Sequence, residues 1–404
     1  MSSESGGDNS ELDQQQYERD QQDKQNLELF VEELKAGKSA KSNGEAEHVV
    51  EETLLKAFDI RPTRAEPLQE LATYFRGKDM YNKAYIYAQA ARTIPFPEQD
   101  GVQFARRTEY IYRPLYEIGI AAFYVGLYQQ GLQANLEILH WYDYGLYVPD
   151  HIVEVVKRNL EHYRDKVREE EFPFPQNAPF TEYVQEKVDK VFFINLDNRT
   201  ERRQRMESLL DKFGLDYERF SAIGPASMNM EDYMEQHSIQ TLKHLSHGEV
   251  GCFMSHYRVL EDTIKNGYDH AIILEDDVSF LPPFLTVLPA VLEELETLDL
   301  SWDIIMLGQE RYIHGKDRPV PGSKYLVDPL FSLGAAGYLV SPRGAAKIVE
   351  SRPLSKMVEY DNFLQYLSGK VPFDSFHNNT LNLLMVQPAL LTGGGFTSDT
   401  NPKR

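Results

Sequence analysis

The 404-residue chain contains one cysteine, Cys252, which excludes an intrachain disulfide. No apolar run approaches the ~18 residues that a membrane-spanning helix needs. The opening Met1-Ser-Ser-Glu-Ser-Gly-Gly-Asp8 has neither the basic start nor the apolar stretch of a secretory leader. Basic residues are in deficit: 42 Lys and Arg stand against 63 Asp and Glu, a net charge of −21. A surface this acidic repels phosphate backbones and excludes nucleic acid as a partner. A phosphorylated substrate then needs a local basic pocket or a metal. Together these absences predict a cytoplasmic protein with no membrane span, in which Cys252 is a small buried hydrophobe.

What is present suffices for two cores, with 42% hydrophobic and 12% aromatic residues. Residues 1–45 are rich in Gln, Asp, Glu, Ser and Gly. They predict a disordered acidic tail, broken at most by one short helix from Leu27 to Leu34. Residues 46–170 read as an all-α domain. Leu71-Ala72, Phe75, Tyr81, Ala84 and Ala88 are echoed 47 residues later by Ile118-Gly119, Ala122, Tyr128, Gly131 and Asn135. Small residues at Ala72, Ala84, Gly119 and Gly131 let helices approach closely, with Tyr81 and Tyr128 filling the gaps. The pattern resembles tetratricopeptide repeats of ~34 residues, lengthened by an insertion. It serves either as a surface for a homo-oligomer or partner protein, or simply as a helical bundle. Residues 171–187, with prolines at 173, 175 and 179, read as a linker.

From 188 to 404 the pattern is α/β. Strands are expected at 191–196, 217–223, 271–274, 303–307, 338–340 and 384–386. Helices between them predict a mostly parallel sheet flanked on both faces. Ser246-His-Gly-Glu249 is a capping box opening a helix whose buried stripe is Val250, Phe253, Met254, Tyr257, Leu260 and Ile264.

Ligands of open α/β sheets bind beyond the carboxyl ends of the strands. The strand ending at Leu274 delivers Glu275-Asp276-Asp277 to that edge. Three successive carboxylates repel one another, and a hard divalent cation relieves the repulsion. The plainer alternative is a solvated acidic turn. After the first strand, Arg199 and Arg202 at a helix N-terminus suit a diphosphate. Neither His247 nor His256 has a zinc role on spacing alone. Asp361, ahead of a short apolar helix, reads as a general base or as that helix's N-cap.

Several ordered motifs resemble glycosyltransferase family 25. They are Phe193-Ile-Asn-Leu196 with Arg199 and Arg202-Arg203, Gly248 to His256, Leu274-Glu-Asp-Asp-Val278, and Trp302 to Gly308. Pro353 to Met357, Asp361 to Leu364 and Ser398-Asp-Thr400 are similar to the procollagen galactosyltransferase branch. The resemblance implies a GT-A-like fold, a UDP-sugar donor, Mn²⁺ or Mg²⁺, and inversion at the anomeric carbon. It implies Asp277 and Glu275 as metal ligands, with Asp276 and Asp361 in catalytic roles. It puts Asn195, Arg199, Arg202, Glu249, Ser255 and His256 on the donor. Galactose is the favoured sugar, with glucose the alternative. The acceptor is a collagen-like hydroxylysine, a glycan or a lipid. The chain departs from the family at Ala222-Ile-Gly-Pro225, which lacks an acid, and at Leu333-Gly-Ala-Ala336. A non-catalytic UDP-sugar-binding scaffold and a nucleotide-sugar hydrolase are the competing readings.

Overall fold

The computed structural model describes residues 8–97, 107–145, 148–167, 178–308, 317–331, 334–371, 373–376 and 381–393. The chain divides into two compact units, Met1–Leu139 with Val148–Phe172, and His140–Tyr147 with Pro173–Arg404.

The first unit is helical: α1 Asp8–Ser42, α2 Glu47–Ile60, α3 Glu66–Arg76, α4 Tyr81–Thr93, α5 Arg107–Tyr124, α6 Tyr128–Asp143 and α7 Asp150–Arg164. Where a disordered tail broken by one short helix from Leu27 to Leu34 was expected, residues 1–7 lie outside the described residues and helix α1 runs from Asp8 to Ser42. Its Leu27, Phe30 and Leu34 recur at three and four residues and join Val50, Leu54 and Phe75 in one core. Arg64, fully buried, lies over the Phe30 ring and donates to Glu66. The two echoed stretches form the helix–turn–helix pairs α3–α4 and α5–α6. In the second pair, the space beside the glycines is taken by Asn135 and Tyr163 rather than by Tyr128. A Cβ on Gly119 would meet the Asn135 amide at 2.6 Å, and one on Gly131 the Tyr163 hydroxyl at 2.0 Å. Tyr81 instead stacks on Tyr124.

The second unit begins earlier than the expected boundary at 188. Residues 178–187 are no linker but helix α8, Ala178–Lys187, whose Phe180 and Val184 are core residues. Residues 171–177 lie outside the described residues. There follow β1 Lys190–Asn195, α9 Thr200–Phe213, β2 Tyr217–Ser221, α10 Met230–Gln236, α11 His247–Asn266, β3 Ala271–Glu275, β4 Val278–Phe280 and α12 Phe284–Thr297. After them come β5 Ile304–Met306, β6 Arg318–Pro319, β7 Leu326–Asp328, β8 Gly337–Val340, α13 Pro342–Glu350, α14 Tyr360–Leu367, β9 Leu383–Val386 and β10 Leu391–Gly393.

Eight strands form a sheet in the order β2-β1-β3-β8-β5-β9-β7-β6, and β10 pairs with β4. The sheet is parallel through β2, β1 and β3, but β8 runs antiparallel to both β3 and β5. It is therefore a mixed sheet rather than a mostly parallel one. Strand alternation makes three layers. Val191, Phe193, Ile272 and Leu274 pack with α8, α9 and α12 on one face. Phe192, Ile194, Ile273 and Tyr338 pack with α11, α13 and α14 on the other. Helix α11 has both halves of the expected capping box, and Gly267 ends it in the left-handed conformation. Ile264, expected on its buried stripe, is exposed.

Asp303, fully buried at the start of β5, holds α13 and the entry to β9. It accepts from Arg343 Nε at 2.6 Å, Lys347 Nζ at 2.7 Å and Asn382 N at 2.6 Å. Asp303→Ala strands these donors, two of which can still reach water. We expect a loss of about 3 kcal/mol, read as a lower urea midpoint at unchanged m-value. An unaltered midpoint would show that Asp303 holds nothing together.

Candidate active site

The carboxyl ends of β1, β2 and β3 meet at one edge, and their registers bring Ile194 opposite Glu275 and Asn195 opposite Ser221. The edge is held by side chains. Asn195, almost fully buried, donates through Nδ2 to Asp276 Oδ2 at 2.7 Å and accepts at Oδ1 from Arg219 Nε at 2.9 Å. Arg202 donates to the other Asp276 oxygen at 3.0 Å and lies 3.9 Å from Asp277. Burial pushes the Asp276 carboxyl above its usual range, while Asn195 and Arg202 favour its charged form. We take it as ionised, because both oxygens face donors.

Above this clamp lies an open cleft of about 250 Å³, a little below the usual size of small-molecule sites. One wall is apolar: Ile194, Leu196 and the loop Ala222-Ile-Gly-Pro-Ala226. The other carries Arg202, Cys252, Ser255, His256 and the three acids Glu275 to Asp277. The loop is tied to α11, since Ser255 Oγ accepts from Ile223 N at 2.9 Å and donates to Gly251 O at 2.7 Å. Helix and loop touch so closely at Gly251 that a Cβ there would sit 2.2 Å from Ile223 O.

Glu275 and Asp277 both face the cleft partly exposed, a hard oxygen pair suited to Mn²⁺ or Mg²⁺. Asp276, expected in a catalytic role, lines the cleft with each of its oxygens held by a donor of the clamp. Asn195 lies beneath the cleft rather than on its wall. Arg199 is the exposed N-cap residue of α9, and Asn198 lines the cleft instead. Glu249 is turned back, its Oε2 accepting from Ser246 N at 2.7 Å to complete the capping box. Ser255 and His256 do reach the cleft.

Asp361 is the second residue of α14 and is not its cap, which is Glu359. Its Oδ1 accepts from Asn362 N at 2.7 Å and its Oδ2 from Gly334 N at 3.4 Å. Burial pushes its carboxyl up, and Glu359 and Glu275 add to the shift. Burial likewise raises the Cys252 thiol, with Glu275, Asp361 and Asp277 acting in the same direction. Asp361 thus shares an electrostatic environment with the cleft acids.

Two groups escaped the sequence reading, and a third, Cys252, is half-buried at the cleft rather than the buried hydrophobe expected. Tyr338 donates or accepts at His256 Nδ1, 3.0 Å away, and meets Tyr360 at 2.9 Å. The Tyr360 ring stacks on His256 with centroids 4.4 Å apart. Cys252, one helical turn before His256, faces Glu275.

Residues 188–364 match the family described as glycosyltransferase family 25 (LPS biosynthesis protein). This region belongs to glycosyltransferase family 25. Procollagen galactosyltransferase 1-B of Xenopus laevis is 34% identical over 225 residues, covering 52% of this chain and 37% of the relative. A glycosyltransferase 25 family member of Aedes aegypti is 29% identical over 328 residues, covering 75% of this chain and 51% of the relative. Procollagen galactosyltransferase 2 of Homo sapiens is 29% identical over 234 residues, covering 52% and 37%. The chain thus spans between about a third and a half of the length of these relatives. The motif Ser398-Asp-Thr400, and Leu333 of the stretch where the chain departs from the family, lie outside the described residues.

The close contact at Gly251 yields a test. Gly251→Ala should push the Ile223 loop off α11, at a cost of about 1–3 kcal/mol. Thermal melting of this variant should fall with the far-UV dichroism preserved. A melting temperature equal to the parent's would mean that the contact is not tight.

Proposed function

We propose that the chain transfers a hexose, galactose by preference, from a UDP-sugar to a hydroxyl acceptor, with inversion at the anomeric carbon and a divalent cation required. The observation that carries this is the cleft itself. A family 25 region places two cleft-facing carboxylates, an arginine and an apolar wall around one cavity at the carboxyl edge of a sheet. A GT-A-like organisation is the reading that fits such an edge. The procollagen names of the relatives favour a collagen-like hydroxylysine acceptor over a glycan or lipid.

In this reading the apolar loop Ala222–Ala226 takes the uridine, and its lack of an acid leaves recognition there to backbone groups. Arg202, ion-paired but partly turned to the cleft, faces the diphosphate. Glu275 and Asp277 would hold the cation, which would offset the charge left on the departing UDP. The acceptor oxygen attacks the anomeric carbon as the bond to the diphosphate oxygen breaks. UDP leaves with that electron pair, and the acceptor proton passes to Asp361. A carboxylate raised by burial is a better base than an ordinary one.

Two outcomes follow, each read as UDP release with several UDP-sugars, with and without Mn²⁺. Asp277→Asn should abolish turnover and leave melting unchanged, while undiminished activity in chelator would overturn the cation requirement. Asp361→Asn should keep UDP affinity and lose roughly 10²-fold or more in transfer. In the parent, transfer should fall as pH drops through the raised Asp361 value, because protonation removes the base. Equal UDP release with and without any hydroxyl acceptor would instead favour a hydrolase.

A further inference from the structure

We propose that Cys252, His256 and Glu275 form a binding site for a thiophilic divalent cation, Zn²⁺ in the first place, inside the cleft. The three supply sulfur, nitrogen and oxygen atoms that all lie within 4.8 Å of one another. His256 Nε2 stands 3.4 Å from Glu275 Oε1, and Cys252 Sγ stands 3.9 Å from the same oxygen. Tetrahedral zinc, with bonds of ~2.0 Å to nitrogen and oxygen and ~2.3 Å to sulfur, needs ligand atoms about 3.3–3.7 Å apart. Small side-chain movements therefore close the set.

Cys252 and His256 are four residues apart on α11, which puts both on one face of the helix. A second, independent feature points the same way. The far nitrogen of His256 is held at 3.0 Å by the Tyr338 hydroxyl, itself bound to Tyr360, and the imidazole is clamped against the Tyr360 ring. A ligating histidine fixed through its other nitrogen is the usual outer support of a metal site. Nε2 is thereby aimed at Glu275 and the cleft. All three ligands line that cleft, so the fourth coordination position opens to it.

The donor set discriminates between cations. Mn²⁺ and Mg²⁺ favour oxygen, whereas sulfur with imidazole selects zinc and its spectroscopic substitute cobalt. When the metal–sulfur bond forms, the thiol proton is released to solvent. Glu275 belongs both to this set and to the oxygen pair proposed for the donor cation. The two cations then compete for it, and Zn²⁺ acts as an inhibitor of transfer. That consequence rests on the transferase reading; the site itself does not.

The test is titration of the full metal-free chain with Co²⁺, followed by near-ultraviolet and visible absorption. We expect one equivalent to bind with a thiolate-to-cobalt charge-transfer band, displaced by Zn²⁺ and not by Mg²⁺. Because Cys252 is the one cysteine in the sequence, such a band has a single source. Cys252→Ser should abolish the band and weaken Zn²⁺ binding at least about 100-fold, and Tyr338→Phe should weaken it about 10-fold. Absence of the band in the parent chain overturns the site whatever the variants do. So does Zn²⁺ affinity unchanged in a folded Cys252→Ser. A chain with the band that releases no UDP from any donor keeps the site and removes only the inhibitory consequence.

Discussion

The carboxyl edge of the sheet depends on one buried anion. Asp276 has both oxygens bound, one by Asn195 from β1 and one by Arg202 from α9. Asn195 in turn holds Arg219 on β2. Three parallel strands and a helix are thus tied at the point where the chain must leave the sheet. The flanking acids Glu275 and Asp277 line the same cleft and stay more exposed than their clamped neighbour. Removing one partner of a buried pair typically costs several kcal/mol, since a charge is then stranded. The arrangement of the cleft acids is therefore as firm as the sheet.

The reversed strand β8 has an equally direct effect on the chemistry. Because it runs antiparallel to β3, it begins at the edge where β3 ends, with Gly337 opposite Leu274 and Tyr338 opposite Ile273. Tyr338 can then reach His256 from below. A parallel β8 in the same place would begin at the far edge, and its first residues could not touch α11 near the acids. The hydrogen-bonded series Glu275, His256, Tyr338 and Tyr360 follows from that single change of direction.

Much of this was legible in the residues, and the reasons are local. Helix α11 announced itself through Ser246, Glu249 and Gly267, because caps are written in neighbouring side chains. Strands β1 and β3 were visible as unbroken apolar runs, as buried strands are. The direction of β8 was not, since a four-residue apolar strand looks the same both ways. Only the Leu27–Leu34 part of helix α1 was visible, because polar residues dominate the rest, while Leu27, Phe30 and Leu34 suffice to bury one face. At the site, residue type suggested chemistry but could not say which groups were already engaged. Asn195, Asp276 and Glu249 are each spent on the scaffold, a fact that only their partners reveal. Tyr338 carried no signal at all, being one more aromatic in an apolar stretch.

The order of strands also governs how the chain can be interrupted. Strands β2, β1 and β3 are complete once residue 275 has been synthesised. Strand β5, in the other half of the sheet, pairs with β8 on one side and with β9, Leu383–Val386, on the other. A nascent polypeptide, or one cut short by a nonsense codon before Leu383, presents β5 with an open edge made of Ile304, Ile305 and Met306. Such an edge is a template for pairing with another chain. Strand β9 thus protects the middle of the sheet, and termination ahead of it is expected to yield aggregates rather than a soluble fragment.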